Sequence, residues 1–201
     1  MNASEEQERE SSEWNVRELS AGEFDALSAA SEYGGFQQTS EMAALAQSEG
    51  MQTQYVGLVD SHDVPVAGAL VAFSQGRFGV EGSLWLGPLC NGNDGEQMTA
   101  LTDGLREVAE RVHAISLTCW PNQVYCVRDS QGKVMAEPND EMVREYERLG
   151  WKHAGFARGY GALMNRWNYV KDLREFSNAG ELLASYAKNT RRNVKIARNS
   201  G

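Results

Sequence analysis

The stretch "TQYVGLVDSHDVPVAGALVAFSQ", residues 53–75, decides the fold class of this chain. Residues 53–60 and 65–75 are rich in side chains that favour β-strands, and the turn-like tetrapeptide Ser61–Val64 separates them. This pattern predicts an antiparallel hairpin. A fold built around it contains at least one sheet that is not purely parallel.

On the N-terminal side of the hairpin, the pattern predicts a short strand followed by two helices. The first helix is predicted within residues 21–32, and the second begins at Thr39 or Ser40 and ends near Ser48. Gly34 and Gly35 separate the helices, and Gly50 ends the second one. The predicted inward-facing residues are Phe24, Leu27 and Ala30 in the first helix and Met42, Leu45 and Ala46 in the second.

On the C-terminal side, strand-like and helix-like segments alternate. The predicted strands are 83–89, 114–120, 153–159 and 166–173, and the predicted helices are 98–113, 140–150 and 180–201. Pro121 closes the strand 114–120, because proline is excluded from a central strand. The order of elements predicts an α/β (α+β) fold with a mixed sheet flanked by helices and a basic helix at the C-terminal end.

Composition narrows the function classes. The net charge of -9 argues against a general nucleic-acid coat and against DNA as a partner. No run of 18 apolar residues and no signal-peptide pattern occurs, which predicts a cytoplasmic protein without a membrane span. Three cysteines without a CxxC pair and three scattered histidines predict neither a disulfide framework nor a metal site. Residues 1–13 are predicted to be a disordered acidic lead-in.

The segment "AKNTRRNVKIARNSG", residues 187–201, reverses this acidic balance. It holds 5 of the 19 basic residues and no carboxylate. At 100° per residue, the five cations fall within an arc of roughly 120° on one side of a helix. The opposite side carries Leu182, Leu183, Tyr186, Val194 and Ala197. The pattern predicts an amphipathic helix whose cationic side contacts phosphates, or otherwise a solvated charged face.

A coenzyme A site is not predicted. The phosphate loop of acetyltransferases requires arginine or glutamine, two residues, glycine, one residue, and then glycine or alanine at the start of a helix. "RGYGAL", residues 158–163, supplies Arg158 and Gly161 but has Leu163 at the last position, and a strand-like segment follows it. The sequence therefore predicts no cofactor.

Four segments in this order resemble the FemABX family of peptidoglycan bridge-forming aminoacyltransferases. The segments are "GGFQQTSEMAALAQSEGMQTQYVGL" (34–58), "LWLGPL" (84–89), "ERLGWKHAGFARGYGALMNRWNYVKDL" (147–173) and "ELLASYAKNTRRNVKIARNSG" (181–201). Each segment alone is a weak signal, and their order and spacing make the resemblance specific. It covers the chain from about Gly34 to its last residue.

The resemblance implies two domains of acetyltransferase-like (GNAT-type) fold, of which residues 14–178 form the first. Residues 179–201 would then form a basic helix leading into a second domain beyond this chain. Such enzymes move an amino acid from aminoacyl-tRNA to an amine on the stem peptide of a UDP- or lipid-linked peptidoglycan precursor. The amine attacks an ester that is already activated, so the family needs no covalent enzyme nucleophile. The resemblance allows peripheral contact with the inner face of the membrane.

The resemblance also implies substrate-binding residues. They are Gln38 and Ser40 in the corner before the second helix, Tyr125 after the proline loop, and Arg191, Arg192 and Lys195 in the basic helix. Two positions depart from the family: Trp120 stands where an aspartate often precedes the proline, and residues 43–45 offer no cation where one branch has a lysine. The family's catalytic residues would lie beyond residue 201.

Two other interpretations stay open at this point. A non-catalytic module that binds an anionic precursor or tRNA would use the same basic helix without the chemistry. An acetyl-coenzyme A-dependent N-acetyltransferase would share the fold but requires the phosphate loop that residues 158–163 fail to match.

Overall fold

The predicted hairpin lies at the centre of a mixed sheet in the computed structural model, which describes residues 14–90, 95–155 and 170–200. The strands are β1 (Asn15–Glu18), β2 (Gln52–Val59), β3 (Pro65–Gln75), β4 (Val80–Trp85), β5 (Leu89–Cys90) and β6 (Ala114–Trp120). The helices are α1 (Ala21–Ala30), α2 (Ser40–Ser48), α3 (Gly95–Arg111), α4 (Asp140–Arg148), α5 (Ala179–Ser185) and α6 (Lys188–Asn199). The predicted α/β class with a mixed sheet flanked by helices is confirmed.

The described strands form one sheet in the order β1-β2-β3-β4-β6, with the short β5 paired to β3. The pairs β1/β2, β2/β3 and β3/β4 are antiparallel, whereas β4 and β6 are parallel. In the hairpin turn, the Asp60 carboxylate accepts hydrogen bonds from the backbone N–H groups of His62 and Val64, both at 2.9 Å. The side chain that closes the turn is therefore Asp60, which precedes the predicted turn tetrapeptide and was not singled out by the sequence pattern.

Two hydrophobic layers cover the sheet. Because successive strand residues point to opposite faces, Ala69 and Val71 pack beneath α3 while Leu70 packs beneath α1 and α2. Phe24 of α1 is fully buried and stacks on Tyr55, with ring centroids 4.9 Å apart. The core therefore forms where α1 and α2 cross β2 and β3 on one face, and where α3 crosses the sheet on the other.

The predicted inner faces of α1 and α2 were partly wrong. Phe24 and Leu27 are buried as expected, but Ala30 is exposed. In α2 the buried residues are Ala43 and Ala46, while Leu45 is 49% exposed. Leu45 lies about 160° from Ala43 around the helix axis, so it cannot share the arc that faces the sheet.

The predicted helix ends are largely confirmed. Thr39 is the N-cap of α2 and accepts a hydrogen bond from the Met42 N–H, while Gly50 has the left-handed φ of 84° that a helix stop favours. Ser20 and Glu23 form a capping box at the start of α1. Helix ends of this kind can be predicted from the sequence, because each capping side chain bonds to a backbone N–H only three residues away.

The described chain falls into two units, with the boundary between His153 and Ala154. The predicted domain bounds 14–178 and 179–201 stay predictions. Described residues 151–155 and 170–173 contain no strand, so the two strands predicted over 153–159 and 166–173 are absent from those parts. The lead-in 1–13, the remainder of both strands and the loop 158–163 lie outside the described residues.

The single helix predicted over residues 180–201 was also wrong. Tyr186 and Ala187 have extended backbone, with ψ near 155°, and they separate α5 from α6. The Lys171 ammonium lies 5.2 Å from the Tyr186 ring centroid, and Arg191 donates to the Ala184 carbonyl at 3.0 Å. The Arg191 bond supplies a donor for one carbonyl at the end of α5, where a continuous helix would have used a backbone N–H of its own next turn.

An acid-sensitive ion pair ties β1 to α1. The Arg17 guanidinium donates to the Glu23 carboxylate at 2.7 Å, and Ser20 donates to it as well. These hydrogen bonds lower the pKa of Glu23 from 4.5 to about 2. A lowered pKa in the folded state stabilises the fold above pH 4.5, and this contribution is lost as the pH falls from 4.5 towards 2. We expect Glu23→Gln to lower the midpoint of urea unfolding at pH 7, and we expect this difference from the wild type to shrink as the pH falls towards 2. An equal difference at both pH values would contradict this assignment.

Candidate substrate-binding site

The carboxyl ends of the parallel strands β4 and β6 meet at one edge of the sheet, where Trp85 lies opposite Trp120. Leu84 and Cys119 pack in the core beneath α3, so the neighbouring tryptophans point to the other face. The next pairs on that face are Ser83 with Thr118 and Glu81 with Ser116. We call these six residues the β4/β6 row. Ser116 and Thr118 are exposed, so the row offers hydroxyl groups and two half-buried indoles to a ligand.

Gln38 joins the corner before α2 to the sheet next to this row. Its side chain is fully buried, and its Oε1 accepts from the Leu70 N–H at 2.9 Å. Its Nε2 donates to the Trp85 carbonyl at 2.8 Å and lies 3.5 Å from the Leu70 carbonyl. The predicted binding residue Gln38 therefore lies beneath the surface, and its amide is engaged by backbone groups.

Ser40 starts α2, and both its backbone N–H and its hydroxyl donate to the Asp25 carboxylate, at 2.7 Å and 2.5 Å. Asp25 thereby bonds the first turn of α2 to α1. A depression of about 430 Å³ lies beside this contact, and its lining includes Asp25, Thr39 and Glu41. Its two carboxylates suit a cationic or amine-bearing group better than a phosphate.

The loop after β6 is tied back to the corner before α2. Asn122 donates to the Tyr33 carbonyl at 3.1 Å. Tyr125, which is half-buried, donates its phenol to the Asp140 carboxylate at 2.7 Å, and its own carbonyl accepts from the Asn139 N–H at 2.8 Å. The hydrogen bond to Asp140 raises the pKa of the Tyr125 phenol. Tyr125 thus lies at the end of β6, in a loop fastened to the corner and to the start of α4.

Cys119 offers no nucleophile in this region. Burial raises the pKa of its thiol to about 12, so the thiolate is scarce at neutral pH. The thiol packs on the α3 side of β6, away from the β4/β6 row.

The five cations predicted to share one helical side lie on α6, in the second unit. Arg191, Arg192 and Lys195 are all exposed, and residues 188–199 contain no carboxylate. On α6 itself the cations still span roughly 120°, although the break at Tyr186 removes the α5 residues from the opposite side. A surface of one charge sign this dense is suited to phosphate groups.

The predicted site residues therefore fall into two groups. Gln38 bonds to the carboxyl end of β4 and Tyr125 lies in the loop after β6, while Ser40 bonds to α1 at the start of α2. These three residues belong to the first unit, and the three cations belong to the second. The sequence analysis missed three residues that hold this region together. Trp85 bonds to Gln38, Asp25 bonds to Ser40, and Asn122 bonds the loop after β6 to Tyr33. The available signal was the alternation in "SLW" and "SLTCW", which places a tryptophan at the end of each parallel strand.

The chain matches the FemAB family over residues 19–201. A relative, the aminoacyltransferase FemA of Staphylococcus aureus, is 23% identical over 195 residues, which cover 91% of this chain and 44% of the relative. The crystal structure of FemX superposes with a TM-score of 0.67 at 19% identity, covering 93% of this chain and 44% of that one. The crystal structure of a probable acetyltransferase gives a TM-score of 0.48 at 10% identity, covering 75% of this chain and 98% of that one.

The chain spans less than half the length of the curated relatives it matches. Within the described residues, no helix combines the length and apolar character needed to cross a bilayer.

Proposed function

Since this chain belongs to the FemAB family, we propose that the protein containing it is an aminoacyltransferase of peptidoglycan bridge formation. It moves an amino acid from aminoacyl-tRNA to an amine on the stem peptide of a UDP- or lipid-linked precursor. The name of the FemA relative supports the transferase activity. Among the residues of this chain, the main support is the cationic surface of α6, which contains no carboxylate. Such a surface suits these substrates because both of them carry phosphates.

The reaction depends more on how the two substrates are positioned than on chemical activation by the enzyme, because the aminoacyl ester is already activated. The amine nitrogen of the stem peptide attacks the carbonyl carbon of the aminoacyl ester, the new C–N bond forms, and the bond to the ribose oxygen breaks. The amine loses a proton and the tRNA recovers its 3′-terminal hydroxyl group. Holding two large substrates in line lowers the entropic barrier of such a reaction. No residue of this chain is assigned a catalytic role.

Each group of site residues is assigned a part of the substrates. Arg191, Arg192 and Lys195 contact phosphates of the precursor. Ser40, Tyr125 and the β4/β6 row border the region that receives its peptide-bearing part. Support for this second assignment comes from the general tendency of ligands to bind outside the carboxyl ends of parallel strands. The reaction takes place in the cytoplasm, where aminoacyl-tRNA is found.

A transfer assay with the full-length protein tests this function. tRNA charged with one radiolabelled amino acid at a time is mixed with the UDP-linked pentapeptide, and in parallel with the lipid-linked one. We expect label to appear on a precursor with at least one amino acid and to vanish when the tRNA is digested beforehand. Label moving from acetyl-coenzyme A would instead identify an N-acetyltransferase. Saturable precursor binding without any transfer would identify a binding module.

A further inference from the structure

Strand β3 has a gap in its hydrogen-bond ladder on the side where β4 leaves it. Pairing with β4 ends at Ala72, opposite Ser83, and pairing with β5 begins at Gly68, opposite Leu89. Leu70 lies between these two positions. Its backbone N–H and carbonyl, which point to the same side, have no strand opposite them, and an unpaired buried peptide is costly.

The Gln38 carboxamide fills this gap as a substitute for a peptide unit. It accepts from the Leu70 N–H, faces the Leu70 carbonyl, and donates to the carbonyl of Trp85, the last residue of β4. A Cβ on Gly87 would lie 2.8 Å from the Gln38 amide carbon, so the segment after Trp85 packs directly against it. The side chain therefore fixes where β4 ends relative to β3.

We propose that Gln38 is a positioning residue: its amide holds Trp85, and with it the carboxyl end of the β4/β6 row, in the geometry that receives the acceptor substrate. The proposal rests on the function proposed above. It assigns Gln38 an indirect role, since a fully buried amide with backbone partners reaches the ligand only through the strand it holds. Trp85, directly opposite Trp120, is the group through which it acts.

Three variants of the full-length protein separate this role from simple stabilisation. Gln38→Met keeps the length of the side chain and removes every hydrogen bond. Gln38→Glu keeps the shape, but its carboxylate oxygen would face the Trp85 carbonyl. The control Leu27→Ala removes a buried side chain of the same layer that packs near Gly68 and has no bond to β4. We expect Gln38→Met and Leu27→Ala each to lower the melting temperature by several degrees.

Two readouts follow, both below the melting temperature of every variant. The first is the NMR indole N–H resonance of Trp85 without ligand, assigned by its loss in Trp85→Phe. The second is the affinity for UDP-linked muramyl pentapeptide. We expect Gln38→Met to shift the resonance and to weaken binding about tenfold or more, because small misplacements of a binding surface are costly. Leu27→Ala should change neither.

Acidification provides a rescue of the Gln38→Glu variant. Once protonated, the carboxyl group that this substitution introduces can accept from the Leu70 N–H and donate to the Trp85 carbonyl, as glutamine does, and burial favours this neutral form. We expect the Trp85 resonance of Gln38→Glu to approach the wild-type position as the pH is lowered, whereas that of Gln38→Met stays shifted.

The outcomes are distinguishable. An unshifted Trp85 resonance in folded Gln38→Met, or equal loss of affinity in Leu27→Ala, would overturn the positioning role. Wild-type protein that fails to bind the precursor would overturn the proposed function. The ligand-free resonance would still report whether Gln38 holds Trp85.

Discussion

Reversing two charges with Arg192→Glu and Lys195→Glu is expected to weaken binding of the UDP-linked precursor about 100-fold or more. Each hydrogen bond to a charged group contributes about 1.5–3 kcal/mol, and each 1.4 kcal/mol is a factor of ten in affinity. Folding should change by no more than about 0.5 kcal/mol, because both side chains are exposed and neither caps a helix. Arg191 is left intact because it bonds to the Ala184 carbonyl.

The control carries the same change of net charge in the other unit: Lys133→Glu with Lys152→Glu, both at exposed positions. The full-length protein is titrated with precursor and with aminoacyl-tRNA separately, at low and at high salt. Loss for the precursor is the expected result, and the residual binding should depend less on salt. Loss for aminoacyl-tRNA alone would show that α6 contacts the tRNA instead. Equal loss in the control, or no loss for either ligand, would show that the cations only form a solvated face.

The sequence predicted those parts of the fold that depend on neighbours along the chain. The hairpin and its turn, the Thr39 cap and the stop at Gly50 all depend on residues within a few positions of each other. The rotated face of α2 was missed because the sheet selects Ala43 and Ala46, and Leu45 carries no local mark of exposure. The break at Tyr186 was missed because Lys171, 15 positions earlier, supplies one of the contacts that stabilise it.

The candidate site was predictable only in part for the same reason. The resemblance singled out Gln38, Ser40 and Tyr125, but the groups that bond to them are 32, 15 and 15 positions away in sequence. No pattern within one segment indicates that Gln38 is buried. The cationic arc of α6 was predictable because a single helix carries all of it.

Gly34→Ala is expected to be strongly destabilising, whereas the same change at the neighbouring Gly35 is not. A Cβ at Gly34 would lie 1.9 Å from the Ser28 carbonyl oxygen and 3.1 Å from that of Ser31. Both are backbone atoms at the end of α1, so no side chain can rotate away, and the chain between α1 and the corner must shift. We expect a loss of about 2–3 kcal/mol, typical of forced overpacking, measured by urea unfolding.

Gly35→Ala is the matched control, because the same methyl group is added one residue later. There the nearest atom, Asn122 Nδ2, is 3.8 Å away, which is an ordinary contact. We expect its stability to stay within about 1 kcal/mol of the wild type, since removing glycine from the unfolded chain offsets small losses. Because the loop after β6 is bonded to Tyr33, a shift at Gly34 should also weaken precursor binding in protein that remains folded. Equal stability of the two variants would show that the corner is not held against α1 as the structure describes.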